Sequence, residues 1–80
     1  MANKFNPKVV DVARQKIGEF VKQRRNELKI TQPQLAEAVG VRIATISDFE
    51  NGKPKANIGI NTLIGILSVL RIEIQLINKD

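Results

Sequence analysis

The sequence predicts an all-α domain of four to five helices closed by a single C-terminal β-strand. Three observations point there. Apolar residues recur at helical spacing over separate stretches, two short segments carry paired start and stop signals, and the last stretch changes to a period of two. At 80 residues the chain makes one domain, 1–80, with no room for a second core. A chain this short usually benefits from a staple, and it has neither Cys nor His, which removes disulfides and most metal sites. Association with a second copy is the staple that remains.

The elements follow in order. Residues 1–5 read as a loose N-terminal arm. Asn6-Pro7 supplies an N-cap and then proline at the first helical position, where its missing N–H has no partner to lose. Val10, Ala13, Ile17, Val21 and Leu28 continue an amphipathic helix to about Leu28, with Gly18 as a point of looseness in its middle. Thr31 and Gln34 form the capping-box pair of a second helix, and Ile30 and Leu35 form its hydrophobic staple. Leu35, Ala36 and Val39 give it one apolar face, and Gly40 ends it in the left-handed conformation. A third helix runs from about Ile43 to Glu50 with Ile46 and Phe49 inward, and Asn51-Gly52 terminates it. Lys53-Pro54-Lys55-Ala56-Asn57 is a basic loop. A fourth helix spans roughly Ile60 to Leu70, with Ile60, Leu63, Ile64, Leu67 and Leu70 on its buried side.

The run Arg71-Ile72-Glu73-Ile74-Gln75-Leu76-Ile77 alternates polar and apolar, as a half-buried strand does. No other segment alternates in this way, and a lone strand leaves its backbone groups unpaired. Pairing with the same strand of a second chain across a two-fold axis solves this, with Ile72, Ile74 and Leu76 laid on both fourth helices of a homodimer. The competing reading extends the fourth helix through residues 71–77.

Charge and composition narrow the function. Thirteen Lys and Arg against eight Asp and Glu give a net charge of +5, the balance expected of a nucleic-acid binder and also of a merely well-solvated domain. Residues 4–29 carry Lys4, Lys8, Arg14, Lys16, Lys22, Arg24, Arg25 and Lys29 against Asp11, Glu19 and Glu27. Without Cys or His, nucleophilic triads and imidazole chemistry are excluded, so no catalytic residue, cofactor or metal is expected. The N-terminus lacks the apolar core of a signal peptide, and the uncharged stretch Ala56–Leu70 is too short to span a bilayer, so a cytoplasmic protein without a membrane partner is expected.

Two short helices around a glycine turn in a basic helical domain are the elements of a helix-turn-helix. The segment Thr31-Gln32-Pro33-Gln34-Leu35-Ala36-Glu37-Ala38-Val39-Gly40-Val41, followed by Ala44-Thr45-Ile46-Ser47-Asp48-Phe49-Glu50-Asn51-Gly52-Lys53, resembles the Cro-type (phage repressor, XRE) family over about residues 17–70. The resemblance implies a lambda-repressor-like fold and double-stranded DNA as partner. In it Ala36 is small because two helices cross there, and Leu35 and Ile46 pack the motif onto helices one and four. The third helix takes the recognition role in the major groove. Arg42, Ile43, Ala44, Ser47 and Asp48 occupy the base-reading positions. Arg42 suits guanine or a phosphate, Ile43 and Ala44 suit thymine methyls, and Ser47 serves as donor or acceptor. Asp48 accepts from cytosine or points aside, and the second is favoured. Gln32, Thr45, Asn51, Lys53 and Lys55 fall at phosphate-contacting positions, with support of the helix as the alternative for Thr45 and helix capping alone as that for Asn51. The family pattern also implies a bidentate, partly buried ion pair between Arg25 and Glu50, the alternative being two solvated charges. Arg42 and Ile43 depart from the Ser or Thr cap and the Gln common in the family.

Leu67-Ser68-Val69-Leu70-Arg71-Ile72-Glu73-Ile74 and the A-T-I-S-x-F-E-N stretch are similar to the HipB-like branch. That likeness implies an antitoxin that dimerises through a C-terminal strand, binds its own operator and holds a kinase-like toxin. The functional reading is therefore a sequence-specific repressor on a near-palindromic operator, with the autoregulating antitoxin and a protein-binding adaptor of the same fold as alternatives.

Overall fold

The computed structural model describes residues 6–79; the arm expected over 1–5 lies outside them. Among the described residues the fold has four helices: α1 (Pro7–Glu27), α2 (Gln32–Val39), α3 (Ile43–Glu50) and α4 (Ile60–Val69). α3 packs against both α1 and α2, and α4 packs against α2.

Local chemistry sets the helix boundaries. Asn6 Oδ1 accepts from the Lys8 N–H at 2.9 Å, and Pro7 opens α1. The α2 capping box is closed from both sides: the Gln34 N–H donates to Thr31 Oγ1 at 3.2 Å and the Thr31 N–H to Gln34 Oε1 at 2.9 Å. α3 starts at Arg42 with no side-chain cap bond. All four helices end in the same paired backbone motif. Ile30, Val41, Lys53 and Ile72 donate back to the carbonyls of Arg25, Ala36, Asp48 and Leu67. Each needs a left-handed residue one position earlier. Gly40 and Gly52 supply it without strain, whereas Lys29 (φ 59°) and Arg71 (φ 57°) carry side chains there.

Val21, Leu35, Ala36, Ile46, Phe49, Ile66 and Leu70 form the buried core. Leu28, Ile30, Val39, Val41, Ile58, Leu63, Leu67 and Ile72 pack around it. Ala36 is itself 2% exposed, so a larger side chain at this position would overpack the core.

Two expected faces are met in part. On α4 Leu70 is fully buried and Leu63 and Leu67 pack on the core as expected, but Ile66 is fully buried as well, while Ile60 is 72% and Ile64 48% exposed. That helix is apolar almost all round, so spacing alone does not select which stripe turns inward. On α1 the core takes Val21, whereas Ala13 and Ile17 stay exposed and line an open hollow with Phe49, Ile58 and Leu63. Gly18 is not a point of looseness. A Cβ there would overlap the Phe49 carbonyl oxygen and lie 2.8 Å from the Glu50 carbonyl oxygen, so this glycine lets α1 press against the end of α3.

No strand is present among the described residues. Beyond the α4 terminus, residues 72–79 carry no regular secondary structure. Ile72 is half-buried, Ile74 is half-exposed, and Leu76 and Ile77 are 93% and 81% exposed. A ladder needs a second strand, and none of the described residues offers one. No helix among the described residues is long and apolar enough to cross a membrane.

Candidate nucleic-acid interface

The interface is built outward from a buried ion pair. Arg25, on the last turn of α1, donates from Nε to Glu50 Oε2 at 2.6 Å and from Nη2 to Glu50 Oε1 at 3.0 Å. Its Nη1 donates to the Ile30 carbonyl oxygen at 2.7 Å, so one guanidinium fixes α3 and the α1–α2 link together. Gln32 Nε2 adds a further bond to Glu50 Oε1 at 3.0 Å, bringing in the start of α2. Arg25 and Glu50 are only 7% and 3% exposed, and no buried side-chain nitrogen or oxygen among the described residues lacks a partner. Two buried charges are tolerated because they neutralise each other and every nitrogen and oxygen of the pair has at least one hydrogen-bond partner.

With its inner side held this way, α3 turns its other side to solvent. Arg42, Ile43 and Ala44 are exposed, and Thr45, Ser47 and Asp48 are half-buried. Positions 43, 44, 47 and 48 are related by three and four residues and share one face of the helix. Arg42 stands just ahead of that face. The basic loop closes its far end: Asn51 caps α3 and is exposed, as are Lys53 and Lys55. An open hollow of about 420 Å³ lies between α3 and the loop, walled by Arg42, Ala44, Thr45, Asp48, Lys55 and Asn57.

Of the sequence-predicted site residues, those from Arg42 to Lys55 lie on α3 and the loop after it, with Glu50 and its partner Arg25 buried behind them, and two further groups lie apart. Gln32 directs its side-chain amide to Glu50, which leaves its backbone at the α2 N-terminus as the group facing outward. Ile72, Ile74 and Leu76 belong to the C-terminal segment, separate from α3. Three contacts had no signal in the sequence. Asp48 Oδ1 and Oδ2 lie 3.8 Å from the Lys53 and Lys55 ammonium nitrogens, a pairing that depends on how the loop turns after Gly52. Arg24 Nε donates to the Leu70 carbonyl oxygen at 3.0 Å and so ties α1 to the end of α4.

Two short helices joined at Gly40-Val41, the second of them held from behind and open in front, define a helix-turn-helix domain. The Helix-turn-helix family model matches residues 21–77, and the chain belongs to that family, in its XRE-type form. It is similar at 26% identity to a chain of the HipA–HipB–O2–O3 complex, with a TM-score of 0.68 and 100% of each chain covered. It is likewise similar at 26% identity to a chain of a HipB–O4 20mer complex, with a TM-score of 0.67 and 100% of each covered. An MDT protein matches at 26% identity and a TM-score of 0.68, again over 100% of both chains. Among curated protein sequences none matches.

Proposed function

We propose that the chain is a sequence-specific DNA-binding regulator of the HipB-like antitoxin type, acting as a homodimer on a near-palindromic operator. The observation that carries this is the likeness over the full chain to a chain of the HipB–O4 20mer complex, joined to the solvent-facing side of α3. α3 enters the major groove, with Arg42, Ile43, Ala44 and Ser47 toward base edges. The α2 N-terminus at Gln32, together with Thr45, Asn51, Lys53 and Lys55, meets phosphates on either side and sets the register. Arg25, Glu50 and the Gln32 amide touch no base. They hold the angle at which α3 is offered.

Residues 71–77 pair with their counterpart in a second copy as an antiparallel ribbon. The exposure of Ile74, Leu76 and Ile77 in the single chain, together with the exposed Ile60 and Ile64 on α4, supports this. Residues 1–80 act as one domain, and two-fold symmetry places the half-sites about one helical turn apart, roughly 34–36 Å. The likeness to a chain of the HipA–HipB complex favours a toxin as a second partner, so that repression and toxin binding belong to one protein. Catalysis has no place in this reading, and the cytoplasm is where it operates.

Selection of bound sequences from a random duplex pool tests the reading. A palindromic winner, bound less tightly by Arg42→Ala and by Ser47→Ala, is the expected result. Enrichment of no sequence, with weak binding that vanishes at physiological salt, would reject it in favour of an adaptor.

A further inference from the structure

Among residues 42–57 there are two carboxylates, Asp48 and Glu50, and Glu50 is buried against Arg25. Asp48 is therefore the one carboxylate on the proposed DNA-facing surface, where a bare negative charge would oppose every phosphate. It is not bare. Lys53 and Lys55 reach back from the loop to one carboxylate oxygen each, both at 3.8 Å. The same side chain stands on the α3 face shared by Ile43, Ala44 and Ser47 and walls the hollow between α3 and the loop. Two lysines offered to phosphate and one carboxylate offered to bases are thus held together in the free protein.

We propose that Asp48 is a specificity-determining residue that works by occupying Lys53 and Lys55 until α3 is seated in its operator; this rests on the DNA-binding reading above. A phosphate of non-specific DNA must take each lysine from Asp48 and then lie near the carboxylate it has exposed. Both steps weaken non-specific binding. In the operator complex the major groove supplies Asp48 with a replacement donor, such as a cytosine amino group, and both lysines pass to the backbone together. The lysine ends are solvent-exposed and the pairs are long, so they exchange readily and do not lock the loop. Their effect lies in how many lysines are free to displace counterions at a random site.

The test titrates the full-length protein with a labelled duplex of random sequence between about 50 and about 200 mM salt. Each additional phosphate contact steepens the loss of affinity over that range by about 3.5-fold. Asp48→Asn is expected to bind the random duplex more tightly at the lower salt and to lose about 3.5- to 12-fold more affinity across the range, for one or two lysines released. Asp48→Glu, which keeps the charge, is expected to remain near wild type. The decisive comparison repeats Asp48→Asn in a Lys53→Met, Lys55→Met background. Disappearance of most of its effect there supports the proposal, because the carboxylate then acts through the lysines. An undiminished effect means simple repulsion of phosphate and overturns the proposal while leaving the DNA-binding reading intact. Failure of the wild-type protein to bind any duplex would reject both. A thermal melt of each variant confirms that folded protein is compared.

Discussion

The Arg25–Glu50 hub and the C-terminal segment are opposites. At the hub two charges are buried and each finds its partners within the chain: Glu50 receives Arg25 and Gln32, and Arg25 reaches the Ile30 carbonyl as well. In the segment after Arg71 the apolar side chains of Ile74, Leu76 and Ile77 stay in solvent and the backbone has no ladder. Ordinarily charges lie outside and large aliphatic groups inside. The inversion has a physical reading. A region whose bonding is complete within one chain sets the shape of the monomer, and a region whose bonding is incomplete is where a second molecule belongs.

The largest expected effect breaks the first region. Glu50→Ala leaves Arg25 as an uncompensated buried cation and frees the Gln32 amide, so it should destabilise the fold by about 3–5 kcal/mol. Urea or thermal unfolding measures this directly, and wild-type stability would show that the pair is not coupled to the core. Glu50→Gln keeps the shape and an acceptor, and should cost less.

The second prediction breaks the other region. Ile74→Asp with Leu76→Asp should leave the helical content of the monomer unchanged and abolish association, seen by sedimentation equilibrium as a single-chain mass. Each apolar side chain removed from a dimer interface forfeits about 1.5–3 kcal/mol. The wild-type melting temperature should rise with protein concentration and that of the double variant should not. A wild-type chain that sediments as a monomer at all concentrations would remove the ribbon and the paired half-sites with it.

Most of the fold was legible because its signals are local. Asn6-Pro7, the Thr31–Gln34 pair, Gly40 and Asn51-Gly52 act through bonds to backbone a few residues away, and each sets the end of a helix in the structure. Faces were harder to read than ends. α4 offers Ile60, Leu63, Ile64, Ile66, Leu67, Val69 and Leu70, so several stripes satisfy the periodicity, and the choice falls to how α2 packs across it. The candidate site was legible as far as a family motif carries it, which is to α3 and its flanks. The turn of Asp48 toward Lys53 and Lys55 depends on the loop path beyond α3, and no spacing within the helix encodes that.

Gly18 sharpens the comparison at the hub. Its missing side chain admits the Phe49 and Glu50 carbonyl oxygens against α1, so the ion pair two turns further on is reached only because the helices touch here. Backbone cannot yield as a flexible side chain does. Gly18→Ala should therefore destabilise by about 1–3 kcal/mol, although alanine is the better helix former at an unconstrained position. A stabilising outcome in urea unfolding would mean that α1 and α3 can separate by a few tenths of an ångström without loss.

The smallest effect concerns the two places where a side chain sits in the left-handed region. Lys29 ends the helix that carries Arg25, and Arg71 begins the segment proposed to meet a second copy; both close the same backbone motif as Gly40 and Gly52. A non-glycine residue in that conformation is strained by about 1–2 kcal/mol, partly offset by the greater freedom glycine has when unfolded. Lys29→Gly should then stabilise by about 0.5–1 kcal/mol, read as a higher urea midpoint at unchanged slope. Arg71→Gly removes the same strain and should gain as much in the Ile74→Asp, Leu76→Asp background, where the segment has nothing to dock against. In the otherwise wild-type chain its gain should be smaller, because glycine also loosens the direction in which the segment leaves α4. Equal gains in both backgrounds would show that the segment finds its partner without help from the turn that aims it.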